Sequence, residues 1–190
     1  DQTNVMKVYP KTLGDRIGGG LKPGHHVVIF ARPNMGKSML AVTMGCGFAV
    51  GGWKVLVLGN EEPAGDYWLR FIQALSGRTK GEVLGNYHEA KTLALKRGLN
   101  NITIVTAAPG TKRQIDGLME KYRPNVLIID QLRNIDVGRV ESRTNQLEAA
   151  AIYARNTAIR YHCAIISITQ AGDSASGKAV LDMNDIDGSK

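Results

Sequence analysis

Long apolar runs are missing from this 190-residue chain. Its apolar residues, 43% of the total, fall in short stretches between polar turns, so no segment is suited to span a bilayer. Cysteine is nearly absent too. Cys46 and Cys163 lie far apart and neither begins a Cys-x-x-Cys pair, which argues against a metal knuckle or a disulfide framework and for two buried thiols in a reducing compartment. The start, Asp1-Gln2-Thr3-Asn4, has neither an initiator Met nor a charged-then-apolar leader, and is expected to be a cut within a longer chain. Internal repeats and low-complexity tracts are also lacking. What remains is enough material for a single domain with a sizeable core.

That material alternates. Apolar, β-rich runs at His26–Phe30, Lys54–Gly59, Ile102–Val105, Val126–Asp130 and Ala164–Thr169 read as strands. Helical patterns at Lys37–Val50, Ala64–Ser76, Tyr87–Arg97, Lys112–Tyr122 and Thr144–Tyr161 lie between and around them. Continuous apolar strands suit a parallel sheet covered on both faces. The expected fold is therefore α/β, a mostly parallel central sheet with helices on both faces and ligand outside the C-terminal strand ends. Gly45 and Gly47 are poor helix formers inside a helical pattern, expected where that helix packs closely on the sheet.

Ala31-Arg32-Pro33-Asn34-Met35-Gly36-Lys37-Ser38 fits [AG]-x-x-x-x-G-K-[ST], the phosphate-binding P-loop, with a strand before it and a helix after it. Loop N–H groups and the helix dipole converge on a polyphosphate in this arrangement. Ala31 to Met39 are thus the nucleotide-binding candidates, Lys37 as a point charge on the terminal phosphates and Ser38 as a magnesium ligand.

Three further strand ends carry chemistry. Val126-Leu127-Ile128-Ile129-Asp130 is a Walker B pattern, its carboxylate placed to reach magnesium. Glu61 and Glu62 follow the second strand. One of them can polarise a water for attack on a γ-phosphate, Glu61 being the preferred candidate; the other reading is a charge pair at a helix N-terminus opened by Pro63. Gln170, after the fifth strand, is a candidate for hydrogen-bonding the γ-phosphate or its water, although backbone satisfaction in the loop fits equally well. Tyr67, Trp68 and Arg70 fit base stacking or, more plainly, core packing with one solvated charge.

The net charge of +7 hints at a polyanionic partner. Lys91, Lys96 and Arg97 on one helix and Lys112, Arg113, Lys121 and Arg123 around another read first as solvated faces. Asn134–Gln146 and Ala171–Lys178 look like surface loops able to present Arg139, Arg143 and Lys178 to a phosphate backbone.

Together these residues resemble the RecA-like ATPase domain of DnaB-type replicative helicases, including phage helicases and primase-helicases. Gly18-Gly19-Gly20-Leu21-Lys22-Pro23-Gly24 is similar to that family's G-G-G-L-x-P-G turn. Ala31–Ser38 is similar to its A-R-P-x-M-G-K-[ST] loop, and Glu61-Glu62-Pro63-Ala64 stands at its E-M-P-A. Ile129-Asp130-Gln131-Leu132 matches I-D-Y-L with Gln131 in place of Tyr, and Thr169-Gln170 matches the sensor S-Q.

The resemblance implies a RecA-like P-loop NTPase in the cytoplasm of a bacterium or phage-infected cell. It implies ATP or another nucleoside triphosphate with Mg2+, catalytic roles for Glu61, Lys37 and Gln170, and a homo-oligomeric ring, usually a hexamer, that moves on single-stranded DNA with primase as a further partner. The loops holding Arg139, Arg143 and Lys178 stand where the family's DNA-facing loops lie. Two departures stand out: Ala171-Gly172-Asp173 replaces the frequent L-N-R, and the family's arginine finger lies on strands past Lys190. A RadA- or KaiC-type recombination ATPase is the second reading, since Asn60-Glu61-Glu62 is similar to its G-E-E turn. A small P-loop kinase would want an arginine-rich lid, which does not appear. A nucleotide-bound assembly module without turnover is the remaining alternative.

Overall fold

The computed structural model describes residues 4–106, 110–139, 142–172, 178, 180 and 181, with the side chains at 143 and 144 outside that set. Met6–Lys7 (β1) and Gly20–Leu21 (β2) pair antiparallel around Lys11–Arg16 (α1) and lead into His26–Ala31 (β3). There follow Lys37–Val50 (α2), Val55–Gly59 (β4), Ala64–Ser76 (α3), Lys80–Gly85 (α4), Tyr87–Lys96 (α5) and Ile102–Thr106 (β5). Gly110–Thr111 (β6), Lys112–Tyr122 (α6), Val126–Asp130 (β7), Ile135–Asp136 (β8), Arg143–Arg160 (α7) and Ala164–Gln170 (β9) complete the order.

The central sheet has five strands in the order β3-β9-β7-β4-β5, and every pairing in it is parallel. β4 and β7 are buried at every position, which is why they carry no apolar–polar alternation. Their successive side chains feed two cores. Val55, Val57, Val126 and Ile128 pack with Val42, Phe48, Phe71 and Ile72 from α2 and α3. Leu56, Leu58, Leu127 and Ile129 pack on the opposite face with Ile115 and Met119 of α6 and Ala150, Ala154 and Ala158 of α7. Helices thus cover both faces, as the alternation predicts. Cys46 and Cys163 are free and buried. No described helix is long and apolar enough to cross a membrane.

Gly45 and Gly47 of α2 differ in what they allow. A Cβ on Gly45 would lie 3.0 Å from Phe71 and 3.1 Å from Ile128, so its smallness brings α2 onto the sheet and α3. A Cβ on Gly47 would instead meet Tyr9 at 2.6 Å, away from the sheet.

The region 134–146, expected as a surface loop, is more ordered than that. A 3-10 turn, Leu132–Asn134, runs into β8, which pairs in parallel with β6. Buried Ile135 holds it in the second core. α7 begins at Arg143 because Ser142 caps it, its Oγ accepting from the Asn145 N–H at 3.2 Å.

Candidate functional site

The loop between β3 and α2 turns through two left-handed residues, Asn34 at φ 60° and Gly36 at φ 81°. Gly36 takes this conformation without the steric cost of a Cβ, and it delivers the chain directly into the first turn of α2. Left-handed residues among right-handed ones turn successive N–H groups toward one side, the concavity that anions occupy, and the positive end of the α2 dipole adds to it. Lys37, only 9% exposed, folds back across the loop, its Nζ donating to the Arg32 carbonyl at 3.0 Å. Burial depresses its pKa, with Arg133 acting in the same direction and Glu61 and Asp130 opposing.

A cleft of about 310 Å³ opens here, running from Pro33, Ser38 and Met39 on the loop to Glu61, Gln131 and Gln170 opposite. Ala31 ends β3 in register with Gln170 at the end of β9, and Met35 and Met39 are 66% and 50% exposed at the mouth. Arg32 donates to the Lys178 carbonyl, which brings that residue to the loop.

Asp130 closes β7 at the cleft floor, 1% exposed. Its Oδ2 accepts from the hydroxyl of fully buried Tyr67 at 2.7 Å. Its Oδ1 is buried with no hydrogen-bond partner, although the nearby Ser38 hydroxyl favours the ionised carboxyl. Burial dominates and pushes the Asp130 pKa up, against the Tyr67 hydrogen bond. A buried, unpartnered carboxylate oxygen next to a P-loop hydroxyl is a donor set that suits Mg2+, which takes one or two protein oxygens and fills its shell with water and phosphate. Among the described residues there is no cluster of three or more His, Cys, Asp or Glu able to hold a metal by itself.

The two glutamates after β4 are parted. Glu62 forms an ion pair with Arg70 at 2.5 Å on the α3 side. Glu61 accepts at 2.6 Å from Nε2 of Gln131. Gln131 follows Asp130 through a cis peptide and is held by Asn60: its N–H donates to Asn60 Oδ1 at 2.5 Å and its carbonyl accepts from Asn60 Nδ2 at 3.1 Å. The Asn60 N–H donates to the Asp130 carbonyl at 2.9 Å, joining the ends of β4 and β7.

Sequence reasoning named neither Asn60 nor Gln131 as a member of this constellation, and it treated Tyr67 only as a base-stacking or core residue. The available signal was positional: Asn60 and Gln131 each stand one residue past a central strand, where parallel pairing aligns Gly59 with Asp130. Of the DNA-contact candidates, Arg139 is exposed beyond Gly138, and Lys178 is exposed beside the P-loop. The side chain of Arg143 lies outside the described residues, although its backbone opens α7.

The chain has relatives on both sides of the expectation. Over 132 residues it is 26% identical to the DNA repair protein RadA of Aquifex aeolicus (strain VF5), covering 70% of this chain and 24% of that protein. Its fold superposes on a helicase ATPase domain with a TM-score of 0.82 at 20% identity, covering 99% of this chain and 72% of that one. A DnaB-like replicative helicase, solved in a study of its interactions with primase, gives a TM-score of 0.78 at 19% identity, covering 89% of this chain and 44% of that one. At these identities the likeness is one of fold, the RecA-like sheet. Residues 2–176 match the profile described as the AAA domain, and the chain belongs to that family.

Proposed function

We propose that the chain is the NTP-hydrolysing motor domain of a DNA helicase, working as part of a ring on single-stranded DNA. One observation carries the hydrolytic reading: Lys37, the unpartnered Oδ1 of Asp130 and the Gln131-held carboxylate of Glu61 all converge on a single cleft below a P-loop. In this reading the loop N–H groups and Lys37 hold the phosphates, and Ser38 and Asp130 hold Mg2+. Bound there, the ion neutralises charge on the β- and γ-phosphates. Glu61 orients a water and takes its proton, Glu62 being held away by Arg70. Gln170, at the end of the strand beside the P-loop, reports the γ-phosphate to the segment that follows it.

The helicase assignment is supported by the fold shared with the helicase ATPase domain and the DnaB-like helicase, together with the +7 charge. DNA contact by Arg139, Arg143 and Lys178, ring assembly, a primase partner and a cytoplasmic setting belong to this same proposal. The match to RadA favours a recombination or repair ATPase as the second reading.

The test is triphosphate hydrolysis with and without single-stranded DNA, alongside Lys37→Ala and Glu61→Gln. Lys37→Ala is expected to weaken triphosphate binding about 10- to 100-fold, as the loss of a charge-assisted hydrogen bond does. Glu61→Gln is expected to leave binding intact and lower turnover by about 10²-fold or more. DNA stimulation lost in both variants supports the motor; a phosphorylated metabolite as product sinks it. Unwinding of a forked duplex separates helicase from recombination factor.

A further inference from the structure

Gln131 is 2% exposed and lines the cleft, and the two ends of its side-chain amide meet different surroundings. Nε2 donates to Glu61 at 2.6 Å. Oε1 is buried and has no hydrogen-bond partner. The orientation follows from chemistry: an ionised carboxylate only accepts, so the amide nitrogen must face Glu61 and the carbonyl oxygen must face away from it. The side chain is not needed to form the turn, because Asn60 holds the Gln131 main chain through both its N–H and its carbonyl. A simple strut between β7 and β4 would have both ends satisfied, since a buried acceptor without a donor is costly. Here one end grips the carboxylate and the other offers an acceptor at the same cleft.

We infer that Gln131 is a positioning residue for hydrolysis: Nε2 fixes Glu61, and Oε1 accepts from the attacking water. The inference rests on the hydrolytic reading above. In that step the water oxygen bonds the γ-phosphorus as the bridging P–O bond breaks. The leaving diphosphate takes that bond's electron pair. One water proton passes to Glu61 and then to the released phosphate, while the other is hydrogen-bonded to Gln131, which is unchanged at the end. Two acceptors on one water set its lone pair toward phosphorus, which a single carboxylate does not do.

The experiment measures affinity of the chain for MgADP and for MgADP with aluminium fluoride, a mimic of the transferring phosphoryl group with its water. Gln131→Met is expected to leave MgADP affinity within about twofold and to lower affinity for the mimic about 10-fold or more. Gln131→Glu keeps the size but sets a second carboxylate against Glu61, and is expected to show the same selective loss. In a Glu61→Gln background, Gln131→Met is expected to cost less than it does alone, because the two act as a unit. Equal weakening of both ligands by Gln131→Met, or full retention of the preference for the mimic, overturns the inference while leaving the hydrolytic reading standing. A wild-type chain that binds the mimic no better than MgADP overturns both.

Discussion

Tyr67 donates its buried hydroxyl to Asp130 across 2.7 Å, fixing one carboxylate oxygen and leaving the other free of protein partners. The arrangement orients Asp130 but does not neutralise it. Burial still raises its pKa above the ordinary 3.8, so a carboxyl kept for a cation is a burden on the nucleotide-free fold.

That burden is measurable. A raised carboxyl pKa means the folded chain holds the proton more tightly than the unfolded chain. Stability without nucleotide is therefore greatest at low pH and falls as pH climbs from 3.8 through the folded value. Asp130→Asn removes the penalty while keeping an acceptor for Tyr67. At pH 7 the variant is expected to melt ~2–4 °C above the wild type without ligand. Its nucleotide affinity should no longer respond to Mg2+. Thermal unfolding with and without the metal and nucleotide checks both; an unchanged response to Mg2+ removes Asp130 from the metal site.

Gly59 makes the Tyr67 contact possible. A Cβ there would lie 2.5 Å from Cε2 and 3.1 Å from Cδ2 of the Tyr67 ring, which is 2% exposed and has nowhere to move. Gly59→Ala is expected to destabilise the chain by about 1–3 kcal/mol in denaturant unfolding, the usual penalty of overpacking. Replacing Tyr67 by Val in the same chain should recover part of that loss. A midpoint equal to wild type for Gly59→Ala alone counts against the close approach.

His26, at the other end of the sheet, gives an opposite pH response. Its Nε2 pairs with the Ser167 hydroxyl at 2.9 Å, and burial, with Arg155 nearby, lowers its pKa from 6.5 to about 4. The neutral ring is the folded form. Its contribution is present in full above 6.5 and is lost as pH falls from 6.5 to about 4. The loss is at most about 3 kcal/mol and smaller for a partly exposed ring. His26→Gln, which keeps a partner for Ser167, is expected to flatten this limb. The comparison is cleanest in the Asp130→Asn background, where the opposing carboxylate is silent.

The sheet and its main helices were legible because their signals are local. Val126–Asp130 is four apolar residues and a carboxylate, and α2, α3 and α6 run over the predicted residues. α4 had a local signal that went unread: Thr79 and Glu82 form a reciprocal capping box, the pattern that also opens α6 at Thr111 and Gln114. The site's supports are another matter. Tyr67 reaches Asp130 across 63 positions, and Gln131 reaches Glu61 across 70. Such pairings depend on which strands become neighbours, and no window of sequence contains both partners. Glu61 and Glu62 illustrate the limit: strand alternation says that only one can face the cleft, and it takes Arg70 and Gln131 to separate them.

Asn60 has a mechanical consequence. Bonded to both faces of the Gln131 peptide unit and, through its own N–H, to the Asp130 carbonyl, it rivets the rims of β4 and β7. Glu61 and Asp130 then ride on one plate: thermal motion shifts them in common, and the spacing between the two carboxylates stays constant while the rim breathes.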